Sequence, residues 1–350
     1  MVKSKTYIAT PPGVTIKEQL QNRGMSQKEF AARMDMSEKH ISKFLNGEVN
    51  LTPDMAIRLE MVLGLPASFW NKLEAIYREK LQLVKEENEM DEDKEFVKNF
   101  PYSEMSKFGW VESTKDLTKR VFEMRKFFEV VKLSLVKEPL IPGIVYRRQV
   151  ASEKSDYALI AWAQKAKIEA RNIETEPINL NKLKKIIPDI RSMTKLNPDK
   201  FCPELISLLS SCGIALVFLP HIGGSFLHGA TFYDKDKIVI GLTVRGKDAD
   251  KFWFSLFHEI GHILLGHINN HELTSEREEK SADEFSRDTL ILKSDYDLFV
   301  NEGYFSKESI LKFSNIVGID VGITVGRLQK DGYIKYSQLN ELKTKYTMVS

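Results

Sequence analysis

A chain of 350 residues is about twice the usual length of one domain, so we expect two or three compact units, each able to bury a core. The composition is that of a globular protein, 42% hydrophobic and 29% charged, and a net charge of +2 gives no global argument for nucleic-acid binding. Two cysteines, Cys202 and Cys212, exclude a disulfide framework and favour a reducing cytoplasm. The N-terminus lacks a signal-peptide core and no apolar stretch is long enough to span a bilayer, so no membrane association is predicted.

Charge is distributed unevenly along the chain. Residues 1–80 carry twelve Lys and Arg against nine Asp and Glu, whereas residues 85–95 carry seven acids and two bases. An acidic run is usually a solvated helix face or a linker, and it can also tune a neighbouring basic surface. We therefore expect a mildly basic unit at 10–80, followed by an acidic helical linker at 81–120.

The first unit contains five short segments with helix start and stop signals. Ser26 and Ser37 are expected N-cap residues, and Glu29 completes a capping box with Ser26. Thr52 caps the fourth helix, and Gly64 ends it. The predicted helices are 14–23, 27–34, 38–45, 53–64 and 66–80.

The second and third helices have the spacing of a helix-turn-helix, in which the later helix enters the major groove of DNA. Ile41, Phe44 and Leu45 lie on one apolar stripe of that helix, which leaves polar side chains for bases and phosphates. Any short helix pair could give this pattern, so periodicity alone leaves DNA binding open. The candidate DNA-contacting residues are Gln27, Ser37, Glu38, Lys39, His40, Ser42 and Lys43.

Residues 25–70, from MSQKEF to LGLPASFW, resemble the XRE-type helix-turn-helix of HigA-type antitoxins. The resemblance implies a homodimer that binds double-stranded operator DNA and represses its own operon. It also implies that the protein partner is a cognate toxin.

The remainder of the chain predicts an α+β fold that is mainly helical, with a small mixed sheet. Residues 115–215 are expected to be helical, with Pro188 and Pro203 among the helix boundaries. Strands are predicted at 213–220, 228–233 and 237–244, and helical spacing returns at 248–267 and 275–292. The expected units are a helical connecting region at 121–205, a core at 206–295 and a helical extension at 296–350.

His258, Glu259 and His262 form an H-E-x-x-H motif on a predicted helix. Residues four apart share one helix face, so both imidazoles can bind the same metal ion. Glu259 follows the first ligand directly and is placed to act as the general base. The motif therefore predicts one Zn²⁺ per chain.

Zinc held by two histidines needs at least one more protein ligand, and Glu279, His267 and His271 are the candidates. His267 lies about 140° round the helix from His262, which disfavours it. Glu279 and Asp283 lie one turn apart on a following helix. That spacing resembles the gluzincin pattern, which implies that Glu279 is the third ligand and that Asp283 orients a ligating histidine.

Four segments occur in the order found in ImmA/IrrE metallopeptidases: GIALVFLP, HGATFYDKDKIVIGL, FWFSLFHEIGHILLGH and EEKSADEFSRDTLI. Ser281 departs from a common family form, while Glu279 is retained. The resemblance implies a zinc endopeptidase that cleaves a regulatory protein, with Glu259 transferring the proton. We further expect the substrate to pair with an edge strand at residues 238–244, and His228 to border a strand.

A second function stays open at this point. The protein can instead be a HigA-like antitoxin and autorepressor whose metal domain is structural. Retention of Glu259 favours catalysis weakly, because a structural site has no use for a base.

Overall fold

The computed structural model describes residues 2–137, 153–223, 229–243, 248–268 and 275–346. The chain divides into two compact units, Met1–Glu95 and Phe96–Ser350, each with its own core. The finer domain boundaries expected from the sequence stay a prediction.

The first unit combines a short antiparallel strand pair with a group of helices. Strands β1 (Val2–Lys3) and β2 (Ile8–Ala9) pair with Val2 opposite Ala9. The helices that follow are α1 (Pro12–Asn22), α2 (Gln27–Arg33), α3 (Glu38–Leu45), α4 (Pro53–Leu63) and α5 (Ala67–Asn88). A further helix, α6 (Asp91–Val97), crosses the boundary between the units.

The predicted N-cap residues and the glycine stop act as the sequence predicts, but the capping box at Ser26 is wrong in its second half, because the carboxylate of Glu29 accepts hydrogen bonds from Arg33. The hydroxyl oxygens of Ser26, Ser37 and Thr52 each accept a hydrogen bond from the backbone three residues on. Gly64 ends α4 with a φ of 76°, a left-handed conformation that suits glycine. The N-terminal ends of α2 and α3 are thereby fixed.

Helix α5 continues to Asn88, further than the predicted end near Lys80. Its last turns are held by Val84, which is fully buried, and by Glu87. The carboxylate of Glu87 accepts hydrogen bonds from the hydroxyl groups of Ser4 and Thr6 and from the Thr6 backbone. Burial raises the pKa of Glu87, but these bonds outweigh it and lower the pKa below its usual value. The strand pair is therefore fastened to α5, a contact that the sequence did not predict.

The first helices of the second unit lie before and after residues 138–152, which are not among the described residues. They are α7 (Tyr102–Lys107), α8 (Leu117–Phe128), α9 (Glu153–Ala170), α10 (Leu180–Ser192) and α11 (Pro198–Ser210). Pro188 and Pro203 lie inside α10 and α11, so the prediction that they mark boundaries is wrong. Each removes one backbone donor without ending its helix, since the apolar faces of both helices remain buried.

Three strands form a mixed sheet in the described part of this unit. They are β3 (Ile214–Phe218), β4 (Gly229–Asp234) and β5 (Lys237–Leu242). Strand β5 lies in the middle, parallel to β3 and antiparallel to β4. The predicted mixed sheet is confirmed, but the prediction of an edge strand at 238–244 is wrong for its described part. A tight turn at Asp234–Lys237 folds β4 back against β5, while β3 pairs along the other side.

The remaining helices are α12 (Ala249–Leu264), α13 (Glu276–Leu290), α14 (Lys293–Glu302), α15 (Lys307–Val317) and α16 (Val321–Lys330). Helix α12 lies in the centre of the core, with Trp253, Leu256, Phe257 and Ile260 fully buried. No single helix in the described ranges is long and apolar enough to cross a membrane. Helices α15 and α16 meet that criterion only together, and they are bent by 114°.

Candidate metal centre and DNA-binding surface

Helices α12 and α13 approach each other closely where the H-E-x-x-H motif lies. Gly261 faces α13, and a Cβ atom there would lie 3.3 Å from Cα of Ala282 and 3.1 Å from the ring of Phe285. Two small residues therefore allow the close contact between the helices. Neither was singled out by the sequence analysis.

The contact brings His258, His262 and Glu279 together. The Nε2 atoms of the two histidines are 3.0 Å apart, and each lies 3.5 Å from a different carboxylate oxygen of Glu279. One ligand atom from each residue falls within 4.8 Å of the others. Ligand atoms on tetrahedral zinc lie about 3.3 Å apart, so this donor set fits the ion. The three residues predicted as ligands thus converge.

Asp283 lies on the other side of the His258 ring, where its Oδ1 is 2.8 Å from Nδ1. This contact holds Nδ1 towards Asp283 and so turns Nε2 towards Glu279. Burial lowers the pKa of His258, but the hydrogen bonds to Asp283 and Glu279 outweigh it and raise the pKa to about 10. Asp283 is therefore placed to orient His258, as the resemblance implies.

His267 lies beside His262 but on the far side of its ring. Nδ1 of His267 is 3.1 Å from Nδ1 of His262, and its Nε2 is 3.4 Å from the hydroxyl of Ser281. The ring nitrogen that faces His258 and Glu279 is Nε2, so His267 approaches the opposite nitrogen. Ser281, the departure from the family pattern, contacts this second histidine. The rival His271 and His228, which was expected to border a strand, lie outside the described residues.

Because of this geometry, variants of Glu279 and His267, the two candidates for the third ligand, should differ in zinc content. We expect Glu279→Ala to lower zinc occupancy strongly, since it removes the only carboxylate within reach of both Nε2 atoms in the described residues. His267→Ala should retain most of the zinc, because it removes only a neighbour of His262. Metal analysis of both variants after identical purification measures this. Full occupancy in Glu279→Ala with loss in His267→Ala would reverse the assignment.

Glu259 is buried beside the candidate metal cluster, which consists of His258, His262 and Glu279. Its side chain extends from α12 towards β4. Its Oε2 accepts a hydrogen bond of 2.5 Å from the hydroxyl of Thr231. A Cβ atom at Gly229 would lie 2.7 Å from its Oε1, so glycine leaves the space for the carboxylate. Burial raises the pKa of Glu259, although His258 and Thr231 oppose the rise. The sequence analysis identified Glu259 and missed both strand residues.

A cleft of 980 Å³ opens from this cluster. Gly229 and Thr231 line it on one side, and α12, α13 and α16 line much of the remainder. Arg327 of α16 donates hydrogen bonds to the carbonyl groups of Arg287 and Ile291, at 2.9 and 2.7 Å. Helix α16 thereby holds the C-terminal end of α13.

In the first unit, Ile41, Phe44 and Leu45 are buried as predicted, which sets the exposed face of α3. The outward-facing candidates are Gln27, Ser37, Glu38, Lys39 and Lys43. Two of the seven are half-buried, His40 and Ser42. Nε2 of His40 has no hydrogen-bond partner among the described residues. The hydroxyl oxygen of Ser37 already accepts a bond from the backbone of His40, so its main role is structural.

Comparisons with known proteins match part of the chain. A family model described as "Helix-turn-helix" matches residues 16–70. The "Uncharacterized HTH-type transcriptional regulator YddM" of Escherichia coli (strain K12) is 38% identical over 63 residues, which is 18% of this chain and 67% of that protein. A solved addiction module antidote protein of a HigA family from Coxiella burnetii is 27% identical. That match covers 24% of this chain and 92% of the other, with a TM-score of 0.22.

The first unit is thus a helix-turn-helix domain. The chain belongs to the helix-turn-helix family of HTH-type transcriptional regulators.

Proposed function

We propose that this regulator is a HigA-like, DNA-binding homodimer of the XRE type whose second unit is a zinc-dependent endopeptidase acting on a regulatory protein. The observation that carries the peptidase proposal is the convergence of His258, His262 and Glu279, with Glu259 buried alongside. A structural metal site needs the ligands but has no use for a carboxylate base. The resemblance to the ImmA/IrrE family supports the same conclusion.

Each residue of the site has a distinct task in this proposal. A zinc ion, when bound, would supply Lewis acidity to polarise the scissile carbonyl and activate water. Glu259 takes the proton of the attacking water and passes it to the leaving amine, and its raised pKa brings it closer to the pKa that this exchange requires. Asp283 holds the His258 ring so that Nε2 is turned towards His262 and Glu279, where zinc would bind. Thr231 fixes one oxygen of Glu259.

The substrate backbone is expected to pair with β4 rather than with β5. Strand β5 has partners on both sides, whereas β4 is an edge strand of the described sheet. Gly229 and Thr231 of β4 also line the cleft beside Glu259. An extended segment added to β4 would therefore pass the catalytic carboxylate, held by main-chain hydrogen bonds.

The peptidase proposal is tested with the zinc-loaded full chain and a proteome-derived peptide library. New peptide termini that form with the wild type and not with the metal-free chain support the proposal. A zinc-loaded protein that produces none supports the antitoxin function, with a structural metal domain and a toxin as partner.

DNA binding is assigned to the exposed face of α3. We expect Lys39→Ala with Lys43→Ala to weaken binding to duplex DNA and to make the negative slope of log K against log salt shallower by about two units, since each lost phosphate contact removes about one. Titrations at several salt concentrations measure the slope. The matched control is Lys72→Ala with Lys80→Ala, two exposed lysines on α5. An unchanged slope in the α3 variant would show that another surface binds DNA.

A further inference from the structure

The cleft leads away from the metal cluster along two helices. Helix α12 lines it from its first residues to His262, and α13 lines it from Glu279 to Arg287. The two helices run in opposite directions here, so the metal cluster lies at one end. Residues of α16 and of the segment after it line the other end.

The two ends of the cleft differ in charge. Seven Lys and Arg residues and five Asp and Glu residues line the cleft, and three of those five acids, Glu259, Glu279 and Asp283, lie in or beside the candidate metal cluster. The other two acids are paired, because Asp248 lies 3.0 Å from Lys251 and Asp250 lies 2.8 Å from Lys343. Away from the cluster, the lining is therefore cationic.

Some of these cations have structural partners and some do not. Arg327 binds backbone carbonyl groups, and both it and Arg287 lie 3.8 Å from Asp331. Lys280, Lys330 and Lys345 are exposed and form no ion pair within the described ranges. These three ammonium groups are available to a ligand. A cleft with low-dielectric walls and one sign of charge concentrates ligands of the opposite sign.

The helix geometry gives the distance between the two ends. Lys345 lies opposite Asp248 in a β-bridge at the start of α12, and Lys251 lies one turn further on. At a rise of about 1.5 Å per residue, His258 is about 10 Å from Lys251 and about 15 Å from Asp248 along the axis. An extended peptide advances about 3.3 Å per residue, so the cationic end lies about three to five residues from the metal cluster.

We propose that the cleft selects polypeptide segments that carry carboxylate side chains about three to five residues from the bond held at the metal cluster. The inference deepens the proposed peptidase function, since it takes the scissile bond to lie beside Glu259. The carboxylates contact Lys330 and Lys345, while the backbone adjoins β4.

The test measures peptide binding to the metal-free full chain by fluorescence anisotropy at low salt. The probes are a labelled alanine-serine decapeptide with a run of glutamates near one end, and the same peptide with glutamines. We expect the glutamate peptide to bind at least about tenfold more tightly, and added salt to remove the difference. Lys330→Gln with Lys345→Gln should abolish the preference. The matched control, Lys307→Gln with Lys312→Gln on exposed positions of α15, should keep it.

Several results would overturn the inference. Equal affinity for the two peptides, or a preference that survives in the Lys330 and Lys345 variant, excludes selection by this surface. Tighter binding of a thymidine decanucleotide, lost in that variant, assigns the cleft to nucleic acid instead.

If peptides are cleaved with zinc but acids are not enriched near the cut, this inference fails and the peptidase function stands. If the acidic preference is found but zinc is never bound, the peptidase function fails and the cleft is a peptide-binding site.

Discussion

We expect the His258→Ala, His262→Ala double variant to purify without zinc, whereas the wild type carries one ion per chain. The double variant loses both imidazole nitrogens, which lie 3.0 Å apart, and keeps only the carboxylate of Glu279. A single carboxylate does not hold zinc against a dilute buffer. The measurement is metal content by mass spectrometry after purification without chelator. Circular dichroism and thermal unfolding of the same samples report whether the variant still folds.

The control for this experiment is Glu259→Gln, which changes a neighbouring side chain of nearly the same shape. It should retain one zinc per chain, because Glu259 is not part of the converging set. A wild type without metal would contradict the proposed peptidase function and leave a DNA-binding regulator. Zinc that persists in the double variant would place the metal elsewhere in the chain.

We also expect Glu259→Gln to lower the rate of peptide cleavage strongly. An amide cannot take the proton of the attacking water, so the rate of peptide cleavage should fall by about 10²–10⁴-fold. The amide oxygen can still accept the hydrogen bond from Thr231, so the fold around the site should be kept. The measurement is the initial rate of appearance of new termini, with zinc content determined on the same preparation.

A matched variant for the cleavage experiment is Glu284→Gln, which makes the same chemical change at an exposed position on α13. It should cleave at the wild-type rate. Wild-type cleavage by Glu259→Gln would assign the base to another group. Zinc binding without cleavage in all three proteins would favour a structural metal domain and the antitoxin function.

Much of the site followed from spacing within single elements. Two histidines four residues apart must share a helix face, and serine caps fix where α2 and α3 begin. Glu279 and Asp283 were indicated by a family resemblance, and the structure brings both to His258. The histidine spacing and the helix caps are local patterns, which can be recognised directly in a sequence.

Contacts between distant segments were not predictable in the same way. The order of the strands depends on which pairs form. The order of the segments along the chain led to the prediction that β5 is an edge strand, whereas β5 is central. The approach of Thr231 to Glu259 depends on how the sheet packs against α12. The length of α5 depends on Glu87 binding residues more than eighty positions earlier. No periodicity within one segment reports such contacts.

The close approach at Gly261 means that the candidate metal ligands come from both sides of a helix interface. His258 and His262 belong to one side, and Glu279 belongs to the other, so the distance between their donor atoms depends on how closely Gly261 and Ala282 meet. A methyl group added at that contact would change the separation of the ligands without altering any of them. In the proposed metal site, preference among ions of different radius would therefore depend on residues that do not touch the ion.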